Sequence, residues 1–278
     1  MRIAITGISG FLGKQLAVFF SKENEVFGIS TSGFQMEGVA VYNFDQLPQI
    51  NDPELIIHCH AAVASGQTLV SQQELIDGNL LATAQIIHQF PLAAHLYVST
   101  VAVYGNSSEI RNEQSFESPV TAYAVSKYEA EKKVLKIQKS AILRLASLYG
   151  PQMKENTLIP NYVKQALQNG KIEVWGNGER KQNYFHISDA ITLINAIIKN
   201  KTWNQPIFLG CSDKEFSNLE IATIISDETA AGIVFSNEDQ SLSVQYDNSF
   251  TQKSLNWQPQ MAIDEGIKQY VSWKKRQS

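Results

Sequence analysis

Short apolar runs alternate with segments of helical spacing through the first half of the chain. The strand-like runs are Arg2–Thr6, Glu25–Ile29, Val39–Phe44, Leu55–Cys59, His95–Ser99 and Ala141–Ala146. Apolar residues recur every three or four positions, as on one face of a helix, within Phe11–Phe20, Leu80–Phe90 and Ala122–Ile137. Because strands and helices alternate, the pattern predicts a parallel sheet covered by helices on both faces.

Two features depart from a regular alternation. Only nine residues, 30–38, separate the second and third predicted strands, and a helical crossover usually needs about a dozen or more. We therefore expect a loop between Ser30 and Gly38. From Gly150-Pro151 onward the elements become shorter and richer in glycine. This change indicates a first domain over 1–150 and a smaller lobe over 151–278, with a segment around 186–210 packing back onto the first domain.

Composition and charge exclude several classes of protein. Of the 278 residues, 44% are apolar and 18% are charged, so the chain can fold around a core without disulfides or metals. The net charge of −4 disfavours nonspecific binding to nucleic acid. Neither a membrane-spanning run nor a signal peptide is visible, so we expect a cytoplasmic protein. Cys59 and Cys211 lie far apart and indicate neither a disulfide framework nor a zinc site.

A glycine-rich segment follows the first predicted strand and opens the first predicted helix. This segment, TGISGFLG from Thr6 to Gly13, has the glycines that allow a tight turn and a close approach to a pyrophosphate. The helix N-terminus adds unpaired N–H groups that favour phosphate. We therefore expect cofactor contacts from Gly7, Ile8, Ser9, Gly10, Phe11, Leu12 and Gly13.

The end of the second predicted strand bears on the type of cofactor. Many NAD-binding folds carry an acidic residue there to hold the ribose hydroxyls, whereas this chain has Ser30, Thr31 and Ser32. Three hydroxyls can bind a 2′-phosphate, but no Lys or Arg follows to attract it. The pattern leaves NAD and NADP open, with a slight preference for NADP, and we expect these three residues to contact the cofactor.

Tyr123 and Lys127 lie four residues apart, on one face of a predicted helix. A phenol with a pKa near 10 is a poor base at neutral pH, and a nearby ammonium and a cationic nicotinamide favour its phenolate form. Thr100 ends the preceding strand, at the sheet edge where ligands bind. We expect its hydroxyl to bond to a substrate oxygen and to share a proton with Tyr123.

Seven short motifs occur in order along the chain. They are TGxxGxxG at Thr6–Gly13, IHxxA at Ile57–Ala61, a helix pattern at Asn79–Thr83, STxxVYG at Ser99–Gly105, YxxxK at Tyr123–Lys127, RxxxxYGP at Arg144–Pro151 and GxG…HxxD at Gly176–Asp189. Together they resemble the extended short-chain dehydrogenase/reductases of the NAD-dependent epimerase/dehydratase family. The resemblance covers nearly the whole chain and implies a Rossmann-type doubly wound parallel sheet with a smaller C-terminal α/β substrate lobe.

The resemblance also implies a role for individual residues. Tyr123 would be the general acid and base, Lys127 would lower the pKa of Tyr123 and hold the nicotinamide ribose, and Thr100 would polarise the reacting oxygen. Further cofactor contacts are implied for His60, Ala61, Asn79 and Ser99. Many relatives dimerise through two helices that correspond to 80–90 and 122–137, so a homodimer is expected.

The two residues after Thr100 bear on the reaction. Dehydratases of the family carry an Asp-Glu pair there, whereas this chain has Val101 and Ala102, so 4,6-dehydration of a sugar nucleotide is disfavoured. An epimerase, which returns the hydride, and an NADPH-dependent reductase, which releases a reduced product, both stay open. A noncatalytic dinucleotide-binding regulator is the alternative from another class.

The last of the seven motifs bears on the substrate. Relatives that act on nucleotide sugars often have an Arg where this chain has Gln182, and a neutral amide cannot make the charged bidentate contact with a diphosphate. Arg180 lies nearby and can substitute. We expect either a nucleotide-diphosphate sugar or a non-nucleotide carbonyl substrate, with contacts from Thr100, Tyr104, Asn156, Arg180, Gln182 and His186. His58 and His60 have metal-compatible spacing, but without a third ligand no metal site is expected.

Overall fold

The computed structural model describes residues 1–63, 69–107, 109–153 and 157–277, so the expected substrate contact Asn156 lies outside the described residues. The strands are β1 (Arg2–Thr6), β2 (Glu25–Ile29), β3 (Ala40–Tyr42), β4 (Leu55–His58), β5 (Ala94–Thr100), β6 (Ile110–Arg111), β7 (Ser140–Leu145), β8 (Ser147–Tyr149), β9 (Lys171–Trp175), β10 (Lys181–Gln182), β11 (Tyr184–His186), β12 (Asn204–Gly210), β13 (Phe216–Ser217), β14 (Gly232–Ser236) and β15 (Gln245–Tyr246). The α-helices are α1 (Phe11–Phe20), α2 (Gln72–Leu75), α3 (Ala82–Gln89), α4 (Ala122–Val134), α5 (Leu158–Asn169), α6 (Ile187–Asn200), α7 (Asn218–Thr229), α8 (Ser249–Leu255) and α9 (Ile263–Lys275).

Within the described residues, a seven-stranded sheet has the order β12-β7-β5-β4-β1-β2-β3. The pairs β1–β2, β1–β4, β2–β3, β4–β5 and β5–β7 are all parallel. The central strand β1 is apolar on both faces, and Ile3, Ala4 and Ile5 are completely buried, as a sheet covered by helices on both sides requires. The predicted fold class is therefore confirmed, and the strand order reverses between β1 and β4, where such sheets bind ligands.

Several predicted elements have the bounds that the sequence pattern gave, including β1, β2 and α1. The third strand is shorter than predicted because Asn43 starts a 3-10 turn over Phe44–Gln49, and its side chain accepts the N–H groups of Asp45 and Gln46. The predicted loop between the second and third strands is confirmed, since residues 31–38 form turns and extended chain with one isolated bridge at Met36.

The helix predicted over Leu80–Phe90 is longer than the periodicity indicated. It begins at Gln72 and continues through α2, a π-helical segment at Ile76–Leu81, and α3. Its start is fixed by a capping box, in which Ser71 Oγ accepts the N–H of Glu74 at 3.2 Å and the Glu74 carboxylate accepts the N–H of Ser71 at 2.8 Å. The Ser-x-x-Glu spacing is a recognisable sequence signal for a helix start, which the hydrophobic pattern alone does not contain.

The chain divides into two units. Unit 1 comprises Met1–Gly105, Phe116–Leu145 and Ile194–Leu209, and unit 2 comprises Asn106–Ser115, Ala146–Leu193 and Gly210–Ser278. In unit 2 the parallel pair β9–β14 packs with α5, α7 and α9 around a buried core. No helix in the described part of the chain is long and apolar enough to cross a membrane.

Gly7 adopts a conformation that only glycine tolerates at that place. Its φ is +63°, and a Cβ on Gly7 would lie 2.7 Å from both Cα and N of His60. Gly33 has a similar φ of +61°, but a Cβ on Gly33 would have no described neighbour within 4 Å, so Gly33→Ala isolates backbone strain. We expect Gly33→Ala to lower the free energy of unfolding by about 1 kcal/mol and Gly7→Ala by about 2–4 kcal/mol, because strain and overpacking add. Urea unfolding measures both, and equal losses would contradict the steric argument.

Candidate active site

Thr100 and Tyr123 meet at the carboxyl end of β5. Thr100 is the last residue of that strand, and its Oγ1 accepts the N–H of Ala102 at 3.2 Å. Tyr123 lies in the first turn of α4, which begins after Thr121, whose Oγ1 accepts the N–H of Ala124 at 3.1 Å. The hydroxyl of Thr100 lies beside the phenol of Tyr123 and lowers the pKa of that phenol. The structure thus brings together two of the three residues that the sequence nominates for chemistry.

Burial sets the protonation of Tyr123 in the protein alone. Removal from water raises the pKa of Tyr123 to about 12, and the hydrogen bond from Thr100 lowers it in part. The phenol therefore keeps its proton at neutral pH. A cation close to the phenol is required to favour the phenolate, so the surrounding charges decide whether Tyr123 can act as a base.

Lys127 supplies a positive charge one helical turn from Tyr123. Its side chain is buried, with Nζ donating to the carbonyl oxygen of Val98 at 2.7 Å and lying 4.2 Å from the centroid of the Tyr97 ring. Burial lowers the pKa of Lys127 to about 8, while the charge of Glu131 raises it in part. The ammonium form therefore dominates at neutral pH, and the Val98 carbonyl is a partner that side-chain motifs could not reveal.

The pKa of Lys127 predicts a pH dependence of stability. Its folded value of about 8 lies below the reference of 10.5, so the unfolded chain binds more protons between those two pH values. The free energy of unfolding therefore gains about 3 kcal/mol from this group as pH rises through that window. We therefore expect the unfolding free energy of the wild type to increase relative to that of Lys127→Met as the pH rises through that window. Urea titrations across the window measure it.

The control for this prediction is Lys136→Met, which removes an exposed lysine close to the end of α4. Its difference from the wild type should stay flat with pH, because both proteins keep the buried ammonium of Lys127. A flat difference for Lys127→Met as well would show that the folded protein does not depress the pKa of Lys127.

The glycine segment forms a cradle at the start of α1. Gly10 N donates to the carbonyl oxygen of Gly7 at 2.9 Å, and a Cβ on Gly13 would lie 2.4 Å from that same oxygen. Gly10 is the N-cap of α1, makes no side-chain capping bond, and no acidic residue lies in the first turn. The N–H groups of that turn are therefore open to a phosphate. The structure groups the predicted contacts Gly7, Ile8, Ser9, Gly10, Phe11, Leu12 and Gly13 in this one turn.

Two further groups of hydroxyls lie at the carboxyl edge of the sheet. Ser30 follows β2, and its Oγ donates to Ser9 Oγ at 3.2 Å and lies 3.0 Å from Ser32 Oγ, so the end of β2 is tied to the glycine turn. Thr31 is exposed beside them. Ser99, next to Thr100, is buried, and its Oγ has no hydrogen-bond partner among the described residues. A buried hydroxyl without a partner calls for a ligand atom, so the residues present fit a bound dinucleotide.

Asn79 connects two segments near Tyr123. It is completely buried. Its Oδ1 accepts the N–H of Ala62 at 2.7 Å, and its Nδ2 donates to Ser126 Oγ at 2.8 Å. Ala61 and His60 precede Ala62 along the chain, so the expected contacts of this segment lie beside Asn79. Sequence reasoning did not nominate Ser126, although its place between Tyr123 and Lys127 was a signal.

The expected substrate residues of unit 2 make specific contacts within that unit. An Nη atom of Arg180 lies 3.9 Å from the carboxylate of Asp239. Gln182 Nε2 donates to the hydroxyl of Tyr184 at 3.2 Å. His186 is buried, with Nδ1 2.7 Å from the hydroxyl of a nearby serine and its ring 5.1 Å from that of Tyr149. The charge of Arg180 is therefore already close to an acidic partner.

Tyr104, expected as a substrate contact, is buried in unit 1, and the guanidinium of Arg144 lies 4.8 Å from the centroid of its ring. His58 and His60 are also buried, with ring centroids 5.7 Å apart. Across the residues that the structure describes, no group of three or more His, Cys, Asp and Glu side chains could hold a metal ion.

A comparison with known protein families identifies the family to which this chain belongs. A family model described as the NAD dependent epimerase/dehydratase family matches residues 3–208. The chain belongs to this family. The resemblance read from the seven motifs is therefore confirmed, and the open cradle, Ser99, Thr100, Tyr123 and Lys127 all lie inside the matched range.

The proteins that are similar in sequence to this chain have more than one activity. The dTDP-D-glucose 4,6-dehydratase of Dictyostelium discoideum is 26% identical over 80% of this chain, and the match spans only 60% of that relative's length. The UDP-glucuronate 4-epimerase of Thermodesulfobacterium geofontis is 22% identical over 98% of this chain and 95% of its own. Because one of these relatives is a dehydratase, the similarity does not support the expectation against dehydration.

Solved structures share the fold. The UDP-glucuronic acid 4-epimerase from Bacillus cereus in complex with NAD superposes with a TM-score of 0.89 at 19% identity, covering 99% of this chain and 97% of that one. The UDP-glucose 4-epimerase from Thermotoga maritima superposes with a TM-score of 0.89 at 17% identity, covering 100% of this chain and 99% of that one. The preference for NADP finds no support in these comparisons.

Proposed function

We propose that this chain is an NAD-dependent epimerase that inverts one carbinol centre of a nucleoside diphosphate sugar. The observation that carries the proposal is the Thr100 hydroxyl beside the phenol of Tyr123, with the buried ammonium of Lys127 one turn further along α4. The phenolate form of a residue in this place can take a proton from a sugar hydroxyl, and the resulting phenol can give it back. Both transfers are needed when a carbinol is oxidised and then reduced at the same carbon.

In the proposed reaction Tyr123 moves the proton. Its phenolate oxygen would accept the proton of the substrate hydroxyl, with the hydroxyl of Thr100 beside it. The ammonium of Lys127, one turn further along α4, would favour the phenolate once the site is occupied. NAD supplies a hydride acceptor, and its reduced form a hydride donor, at the carbon that carries the hydroxyl. After the sugar has turned its other face, the carbonyl carbon would take the hydride back on that face while Tyr123 returns the proton to the oxygen, so the configuration at that carbon would be inverted.

The residues after Thr100 support epimerisation over dehydration. Val101 and Ala102 lie in the turn that follows β5, and neither side chain can donate or accept a proton. Eliminating water requires an additional acid and base near the reacting carbons. The similarity to a dTDP-D-glucose 4,6-dehydratase favours dehydration as the second candidate, which a test in D₂O separates from epimerisation.

The similarity to UDP-glucuronate 4-epimerases over nearly the whole chain supports a UDP-linked uronic acid or hexose as the substrate.

The segment after β2 supports NAD as the cofactor. Residues 30–38 contain no Lys or Arg, and Glu37 is the one charged residue among them. A 2′-phosphate would find three hydroxyls without a cation. The similarity to a UDP-glucuronic acid 4-epimerase solved in complex with NAD therefore decides our proposal for NAD over NADP.

The proposal is tested by incubating the purified protein and NAD with UDP-glucuronate, UDP-glucose and dTDP-glucose in D₂O. We expect an inverted sugar whose inverted carbon carries no deuterium, because the same hydrogen leaves and returns as hydride, and no net NADH. Deuterium at that carbon, or net formation of NADH, would contradict the proposal. Loss of water, seen by mass spectrometry, would establish the dehydratase instead. The expected homodimer stays a prediction, which analytical ultracentrifugation would check.

A further inference from the structure

A chain of buried hydrogen bonds runs from the glycine turn to the backbone of Tyr123, with His60 at its centre. The ring nitrogen Nδ1 of His60 lies 2.6 Å from Thr6 Oγ1, and Nε2 lies 3.0 Å from Thr83 Oγ1. All three side chains are buried. The ring therefore bridges the end of β1 and helix α3, which are distant in sequence.

The partners of Thr83 fix which ring nitrogen carries the hydrogen. Thr83 Oγ1 donates its one hydrogen to the carbonyl oxygen of Asn79 at 2.6 Å, so it can only accept from Nε2–H of His60. Nδ1 then carries no hydrogen and accepts from the hydroxyl of Thr6. Thr6 Oγ1 in turn accepts the N–H of Cys59 at 3.1 Å. Thr6 Oγ1 lies 3.5 Å from the carbonyl oxygen of Ile57 but 2.6 Å from Nδ1, so its hydrogen points to the ring. This arrangement corresponds to a neutral imidazole with its hydrogen on Nε2.

The chain of bonds continues through Asn79 to the candidate acid–base residue. Asn79 Nδ2 donates to Ser126 Oγ at 2.8 Å, and Ser126 Oγ donates to the carbonyl oxygen of Tyr123 at 2.8 Å. Asn79 Oδ1 accepts the N–H of Ala62 at 2.7 Å. Each donor has an acceptor, and such completely satisfied buried networks hold their members rigidly.

The other end of the chain lies against the glycine turn. Thr6 directly precedes Gly7, and a Cβ on Gly7 would lie 2.7 Å from Cα and N of His60. The turn therefore rests on the backbone of His60 while the side chain of His60 holds Thr6. A displacement of His60 would move the turn.

The surroundings keep His60 neutral. Burial lowers the pKa of His60 to about 3, and the charge of Lys127 lowers it further. The ring of His58 faces His60 at 5.7 Å between centroids, and burial lowers the pKa of His58 as well. A protonated His60 would break the 2.6 Å bond in which Nδ1 accepts from Thr6 and would place a second cation near Lys127.

We infer that His60 is a positioning residue that sets the glycine turn and the start of α4 relative to each other through its two ring nitrogens. The inference rests on the proposed function, in which the turn holds NAD and Tyr123 moves the proton. The Nδ1 bond to Thr6 should act on the affinity for NAD, and the Nε2 bond to Thr83 should act on turnover. The two ring nitrogens thus have separable effects.

The test uses three variants of His60. In His60→Asn, the amide oxygen takes the place of Nδ1 and keeps the bond to Thr6, whereas in His60→Gln the amide nitrogen takes the place of Nε2 and keeps the bond to Thr83. We expect Asn to lower kcat about tenfold with an NAD Kd near that of the wild type, and Gln to raise the Kd about tenfold with kcat nearly kept. His60→Ala should show both effects, with a loss in kcat/KM of about 100-fold.

Calorimetric titration with NAD and steady-state kinetics measure these effects, with His88→Ala, an exposed histidine on α3, as the matched control. Equal effects of Ala, Asn and Gln on both parameters would show that the ring only fills space and would overturn the inference. A wild type that binds NAD but epimerises no sugar would refute the proposed function, whereas the order of NAD affinities would still test His60.

Nitrogen-15 NMR of the wild-type protein gives a second test that needs no variant to fold. We expect the His60 ring to be the neutral Nε2–H tautomer at neutral pH and to stay neutral on acidification to about pH 5. A ring that carries its hydrogen on Nδ1, or that titrates near pH 6.5, would contradict the hydrogen-bond directions between His60 and the hydroxyls of Thr6 and Thr83. That result would overturn the inference.

Discussion

Replacing Tyr123 with Phe should lower kcat by about 10²–10⁴-fold, the range of a lost general acid–base group. The ring of Phe keeps the packing of α4 but has no hydroxyl beside Thr100 to exchange a proton with the substrate. The affinity for NAD should change little, since the cradle at the start of α1 is untouched. Product formation and calorimetric titration with NAD measure the two effects.

The matched control is Tyr128→Phe, because Tyr128 lies on the same helix with its ring 5.0 Å from the ammonium of Lys132. This variant should keep kcat within about twofold, as expected of a phenol outside a catalytic group. Full activity of Tyr123→Phe would remove Tyr123 from the proton transfer and with it the proposed mechanism.

Replacing Arg144 with Met should lower the free energy of unfolding by about 3–5 kcal/mol, the cost of leaving one member of a buried ion pair alone. Arg144 extends from β7 and is completely buried. Its Nη2 lies 2.7 Å from the carboxylate of Glu131 on α4 and 2.5 Å from that of Glu117. Without the guanidinium, the carboxylate of Glu131 stays buried and uncompensated. Urea unfolding monitored by circular dichroism measures the loss.

Two further variants separate this explanation from simple loss of packing. The double variant Arg144→Met with Glu131→Leu should recover most of the stability, because removing both charges avoids the uncompensated one. Arg2→Met breaks an exposed pair with Asp52, whose atoms lie 3.3 Å apart, and should cost less than about 1 kcal/mol. If the double variant is as unstable as Arg144→Met, the buried charge of Glu131 is not the cause.

Elements whose signals are local were predictable from the sequence. The bounds of β1 and α1 follow from an apolar run and a helical period that are complete within a few residues. The spacing of apolar residues alone predicts that the helix containing α3 begins at Leu80. The true start lies earlier, and its signal is the capping box formed by the polar residues Ser71 and Glu74. That signal is also local, but it is polar.

Strand β12 shows what a local pattern does not contain. It carries Pro206 and follows a long helix, yet it forms the edge of the central sheet beside β7. An edge strand tolerates proline because one side of it makes no ladder bonds. Whether β12 joins the central sheet depends on its pairing with β7, which lies far away along the chain, and the two strands meet only when the chain has folded.

The sequence by itself determined the family and nominated the residues that we propose carry the chemistry, because the glycine turn and the Tyr123–Lys127 pair are spacings within one turn or one helix. The tertiary structure decided the protonation states of these residues. Burial raises the pKa of Tyr123, lowers that of Lys127 and keeps His60 neutral, and folding brings Asp239 close to Arg180. These effects depend on groups far apart in sequence and on the removal of water, and both are set only when the chain has folded.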